Sequence, residues 1–140
     1  LCNFSLLLLS CFYIGSYRPL VKAILFNNAL AKVDKISSVE EFKNNFSRAL
    51  NYWSPYGQQE ELRMLGGVVM DLLKNNSPPD VAKALVGYLN ENYADFKKWT
   101  AQDYYIVGRA NELVGNKDLS EKFYKEGRDR WPLRSEFILQ

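Results

Sequence analysis

The chain has 140 residues, 47% of them hydrophobic and 24% charged, and a net charge of +2. That suits one domain with a real core, and so small a charge with no basic stripe argues against nucleic acid. Histidine is absent, which excludes Ser-His and Cys-His catalysis, His general bases and most zinc sites together.

Leu1 to Tyr17 carries no charge and includes Leu6-Leu7-Leu8-Leu9. About 20 apolar residues span a bilayer, so this stretch fits the end of a transmembrane helix whose start lies upstream, with Arg18 and Lys22 at headgroup level and Tyr13 and Tyr17 as interfacial aromatics. Three other readings compete. A secretory signal wants a basic start that is absent here. Leu8-Leu9-Ser10-Cys11 looks like a lipobox with Cys11 lipidated, against the bulky Phe12-Tyr13-Ile14 that follow. A buried core helix is the fourth. Cys2 and Cys11 are the only cysteines, so no disulfide framework or paired metal motif is legible. The first residue is Leu and the last helical pattern runs off the end at Gln140, which points to an excerpt of a longer chain.

Residues 1–18 thus form an apolar segment and residues 19–140 a helical domain. Pro19 breaks the apolar run, and Leu20, Ala23, Ile24, Phe26, Leu30 and Val33 resume at helical spacing. Asp34 to Ser37 is a turn. Ser38 and Glu41 have capping-box spacing, and Phe42, Phe46, Ala49, Leu50 and Trp53 form one stripe, completing a hairpin over about 20–53. Ser54-Pro55-Tyr56-Gly57 is a turn. Leu62, Leu65, Val69, Leu72 and Leu73 line the next helix, whose Gly66-Gly67 offers close approach. Ser77 reads as an N-cap before Pro78-Pro79. Val81, Leu85, Tyr88, Leu89 and Tyr93 line its partner, giving a second hairpin over 58–93.

The third hairpin, over 101–131, has the most specific order of residues. Thr100 and Asp103 resemble a helix start; Tyr104, Val107 and Gly108 share one face; Gly115 ends the first helix. Ser120, Phe123, Tyr124 and Gly127 share a face of the second, and Pro132 closes the unit. Two glycines inside helices cost roughly 1 kcal/mol each, so their lack of a side chain answers a need, and close helix packing is the simplest. This stretch resembles a tetratricopeptide repeat, departing from it at Asn111, where an aromatic is usual, and at Ser120 and Gly127, where Ala is usual. The resemblance implies an all-α chain of antiparallel hairpins stacked as an α-solenoid, with a further helix begun at 133–140. It also implies a groove lined by Gln102, Tyr105, Arg109 and Glu112, where an Arg can bind a partner's carboxylate.

The carboxylate groupings Glu40-Glu41, Glu60-Glu61 and Glu91 sit in first helical turns or on polar faces, where they favour the helix dipole rather than catalysis. Gly66-Gly67 has no phosphate-loop context, and Lys97-Lys98 beside Trp99 reads as a solvated face. No catalytic residue, cofactor or metal is expected. The order of parts gives a second resemblance. An apolar span, Arg18-Pro19-Leu20, Phe46-Ser-Arg-Ala-Leu50 and Tyr56-Gly57-Gln-Gln-Glu60 look like the C-terminal tail of membrane O-antigen ligases or polymerases. That implies a protein-interaction tail of a bacterial inner-membrane enzyme of polysaccharide assembly. The competing expectation is a membrane-anchored or lipidated repeat scaffold that catalyses nothing.

Overall fold

The structure is a computed structural model that describes residues 2–75, 77–94, 96–134 and 137, with side chains from residue 5 onward. It is all-helical, with no strand among the described residues. In chain order it has α1 (Cys2–Phe12), a π-helical turn (Tyr13–Tyr17), α2 (Arg18–Leu30), a 3-10 turn (Val33–Lys35), α3 (Val39–Leu50), α4 (Gln58–Lys74), α5 (Pro79–Ala94), α6 (Ala101–Leu113) and α7 (Lys117–Arg130). Two compact units divide within α4, between Glu61 and Leu62.

In the first unit Pro19 does not break the helix. Phe12, Tyr17 and Arg18 all keep right-handed helical backbone, and the Arg18 N–H bonds back to the Tyr13 carbonyl. A proline ring clashes with the carbonyl four residues earlier, here that of Gly15, and the wider π turn before Pro19 relieves that clash. The helix therefore continues from Cys2 to Leu30. Its uncharged part, residues 2–17, is about 24 Å long at 1.5 Å per residue, against roughly 30 Å of hydrocarbon in a bilayer. The expected membrane span is not found: no helix among the described residues is long and apolar enough to cross a membrane. A buried core helix fares no better, because Leu6 to Leu9 are each 54–66% exposed.

The stripe expected on α2 is rotated. Leu20, Ala23 and Ile24 are exposed, and the buried face is Lys22, Phe26 and Ala29. Phe26 and Phe42 both pack on Phe46, with ring centroids 5.4 Å and 4.8 Å away, and Ala49 completes the core. Asn45 ties the helices by donating to the Ala29 carbonyl at 2.7 Å. Of the stripe expected on α3, Phe42, Phe46 and Ala49 are buried, but Trp53 is exposed. The capping box at Ser38 is offset by one residue. Ser38 Oγ accepts from the Glu41 N–H, while the Glu41 carboxylate accepts from the Ser37 N–H and hydroxyl.

In the second unit Leu62, Leu65 and Val69 of α4, with Ala82, Leu85, Val86, Tyr88, Leu89 and Tyr93 of α5, are buried. Ser77 is not the N-cap of α5; its hydroxyl donates to the Leu72 carbonyl and closes α4, and the Ala82 N–H bonds to Pro78 at the start of α5. A side chain at Gly66 would meet Ile106 Cγ2 at 2.5 Å, so α4 and α6 approach there, while the space at Gly67 is open. α6 and α7 form the close hairpin. Trp99 lies between Tyr104 (4.7 Å) and Phe123 (5.4 Å, stacked), with Tyr93 behind it at 5.1 Å.

α6 ends in a Schellman motif: Asn116 N–H to Asn111 carbonyl, Gly115 N–H to Glu112 carbonyl, and Gly115 at φ +80°, where an L side chain is strained. Gly108 makes room for the Tyr124 ring, 2.7 Å from where a Cβ would stand. Gly127 faces not α6 but Phe137, which fills its surface. Pro132 sits in the turn after α7 with Leu133 exposed; the helix expected over 133–140 otherwise lies outside the described residues.

Candidate functional site

Three polar constellations stand out, two of them structural. The first is Lys22. Its ammonium is 3% exposed and donates to the carbonyls of Ala49 (3.1 Å), Leu50 (3.3 Å) and Tyr52 (2.9 Å), the unsatisfied end of α3. Glu61, 5% exposed, lies 3.2 Å away. Three protons already serve three carbonyls, so Glu61 Oε2 has the charge of Lys22 nearby but no directed hydrogen bond. Burial pushes the Glu61 carboxyl up to about 7, with Lys22 opposing. Glu60 and Glu61 lie in the first turn of α4, as their spacing suggests, but Glu61 is buried there. The ammonium is saturated by protein oxygens, so the pair joins helices and leaves no valence for a substrate.

The second is Asp103, fully buried at the start of α6. It accepts from the Thr100 N–H (2.7 Å) and hydroxyl (2.8 Å), from Arg63 Nε (3.2 Å) and from the Tyr93 hydroxyl (3.3 Å). Arg63 also donates to Thr100 Oγ1 at 2.9 Å. Burial, then the nearby Asp103 charge, pushes the Tyr93 phenol far up, so it stays a hydrogen-bond donor. Asn111, the departure from the repeat pattern, is likewise buried and satisfied. It exchanges amide bonds with Asn90 (2.9 and 3.1 Å), donates to the Val107 carbonyl and accepts from Asn116.

The third faces solvent. Arg109 and Glu112 of α6, with Lys117, Ser120, Glu121, Tyr124 and Arg128 of α7, line an open groove of about 530 Å³. Arg109 Nη1 bonds Glu112 Oε2 at 2.7 Å, and the Tyr124 hydroxyl donates to the same oxygen at 2.9 Å. Those bonds, from Arg109 first, hold the Glu112 carboxyl below its ordinary range. The helix pitch puts residues 117, 120, 121, 124 and 128 on one face of α7, and the buried Tyr124 ring anchors the floor.

Of the sequence-derived groove residues, Arg109 and Glu112 lie here. Tyr105 sits behind Tyr124, rings 6.3 Å apart, and Gln102 is exposed in the first turn of α6, outside the groove. The α7 half was missed, although its i, i+3, i+4 spacing was legible. No group of three or more His, Cys, Asp or Glu among the described residues could hold a metal ion. In comparison with known proteins, no family, no curated protein and no solved structure matches the chain.

Proposed function

We propose that this chain is a protein-interaction module held at a membrane by its first helix. The exposure of Leu6, Leu7, Leu8 and Leu9 carries the reading. Successive helical residues step around the axis by about 100°, so four in a row face every side, and a groove on one partner protein covers only some of them. A membrane covers more of that girth than such a groove and leaves the remainder at headgroup level. Tyr13, Tyr52 and Trp53 gather around the Arg18 guanidinium at 5.4, 5.8 and 4.8 Å, residue types that favour the membrane–water interface.

The interaction surface is the α6–α7 groove. Its lining has three cations against two carboxylates, two hydroxyls and a rigid aromatic floor, which suits an acidic segment of a partner. The order of residues from Thr100 to Pro132 supports a tetratricopeptide-like stacking of hairpins. In its finer form the proposal makes this chain the C-terminal tail of an O-antigen ligase or polymerase at a bacterial inner membrane. In its plainer form it is a membrane-anchored scaffold without catalysis. The upstream gene region discriminates: about ten further hydrophobic spans favour the enzyme, a short basic leader the scaffold.

Sedimentation velocity tests the membrane reading. The full chain should self-associate in plain buffer and bind dodecyl maltoside. A sharp monomer in buffer that takes up no detergent would refute it.

A further inference from the structure

We infer that the helix from Cys2 to Leu30 lies along the membrane surface rather than entering it end-on, with one long face in lipid and, over α2, the opposite face held against α3. The inference rests on the membrane reading above and adds an orientation to it. In the sequence, Arg18 and Lys22 end the apolar run. In the structure neither interrupts its outer face. The Arg18 guanidinium is drawn over Trp53 and Tyr52 and donates to the Trp53 carbonyl at 3.3 Å. Lys22 is buried against the end of α3.

With Lys22 turned inward and Arg18 held at the flank between Tyr13 and Trp53, Leu6, Leu9, Tyr13, Tyr17, Leu20 and Ile24 form one exposed stripe, spaced 3, 4, 4, 3 and 4 residues apart. Leu9, Tyr13 and Tyr17, with Phe12, line one common surface, and the Tyr13 and Tyr17 rings stack at 5.4 Å across the π turn. Leu20 and Ile24, 58% and 49% exposed, carry the stripe past Pro19. From Leu6 to Ile24 it runs about 27 Å at 1.5 Å per residue.

An end-on helix would place Leu20 and Ile24 at or beyond the level of Arg18 and its aromatic ring, in water. An in-plane helix buries the whole stripe at one depth. Charge favours the same occupant. Residues 1–33 contain Arg18, Lys22 and Lys32 and no carboxylate, Asp34 being the first, so nothing along the helix repels anionic headgroups.

The test uses the full chain with Cys2→Ser and Cys11→Ser, and single cysteines Leu7→Cys, Leu9→Cys, Leu20→Cys or Ile24→Cys carrying an environment-sensitive nitrobenzoxadiazole label. All four sites are exposed in the structure, so the fold tolerates the label. Vesicles of phosphatidylcholine with some phosphatidylglycerol are added and aqueous iodide quenching is read. The expected result is a similar loss of quenching at Leu9, Leu20 and Ile24, and a smaller loss at Leu7, about 200° around the helix from Leu9. Strong protection at Leu7 and Leu9 with Leu20 and Ile24 still quenched means end-on entry; it overturns the orientation and leaves the membrane reading standing. No protection at any site overturns both. Protection of the stripe that is the same before and after vesicles are added means a second copy covers it, which also overturns the inference.

Discussion

Replacing Gly108 by Ala measures how close the α6–α7 hairpin is. A Cβ there would stand 2.7 and 2.8 Å from Tyr124 Cε1 and Cδ1 and 3.3 Å from Cζ. The ring is poorly placed to retreat, because its hydroxyl is fixed to Glu112 and its far side neighbours Tyr105. Ala gains about 1 kcal/mol over Gly in helix propensity, and overpacking a filled site costs about 1–3 kcal/mol. The net expectation is a destabilisation of about 0–2 kcal/mol. Gly67→Ala keeps the propensity gain with nothing within 4 Å of the new methyl, so it should stabilise by up to about 1 kcal/mol. The contrast of about 1–3 kcal/mol corresponds to a urea midpoint difference near 1 M at a slope of roughly 1–3 kcal/mol/M. In a Trp53→Phe background, the fluorescence of Trp99 and Trp131 reports the unit from Leu62 onward alone. Adding Tyr124→Ala should abolish the penalty of Gly108→Ala, since the two effects are coupled only through contact. Equal midpoint shifts for Gly67→Ala and Gly108→Ala would refute the close packing.

Lys22→Met should destabilise the first unit by about 3–5 kcal/mol, read by urea denaturation, because it strands Glu61 and three helix-end carbonyls; adding Glu61→Gln should recover part. Glu61 also gives a pH signature. Its carboxyl is raised from 4.5 to about 7 in the fold, so the native state holds the proton more tightly and stability falls as pH rises from 4.5 to 7. At ~1.4 kcal/mol per tenfold in proton affinity that is on the order of 3 kcal/mol at most, and Glu61→Gln should flatten the curve. Asn111→Ala should cost about 1–3 kcal/mol in thermal or urea unfolding, by leaving the Asn90 and Asn116 amides without their partner.

Helix positions were legible because every apolar pattern has the helical period; Phe42, Phe46, Ala49, Leu62, Leu65 and Val69 lie where their spacing puts them. The stripe on α2 was misplaced because periodicity counts Lys as solvent-facing, whereas Lys22 is drawn in by the open carbonyls of α3, a partner 27 to 30 residues away. Pro19 read as a break because a π turn has no sequence mark beyond Gly15 four residues earlier. Gly127 was legible as a packing residue, but its neighbour, Phe137, lies beyond the repeat pattern. Asn111 looked like a defect. Only the structure supplies Asn90, on the neighbouring helix, which turns it into a closed amide pair. Half of the groove followed from α6; the α7 half needed the hairpin geometry.

The most direct test of the central claim is flotation of the full chain with phosphatidylcholine–phosphatidylglycerol vesicles on a density gradient, beside a Leu6→Lys, Leu9→Lys variant. Both leucines are exposed, so the fold should survive the change. Each Lys would carry roughly 2.5–3.5 kcal/mol of cost into an apolar phase. The account predicts that the unaltered chain floats and the variant stays at the bottom with an unchanged circular dichroism spectrum. Flotation of both, or of neither, would contradict it.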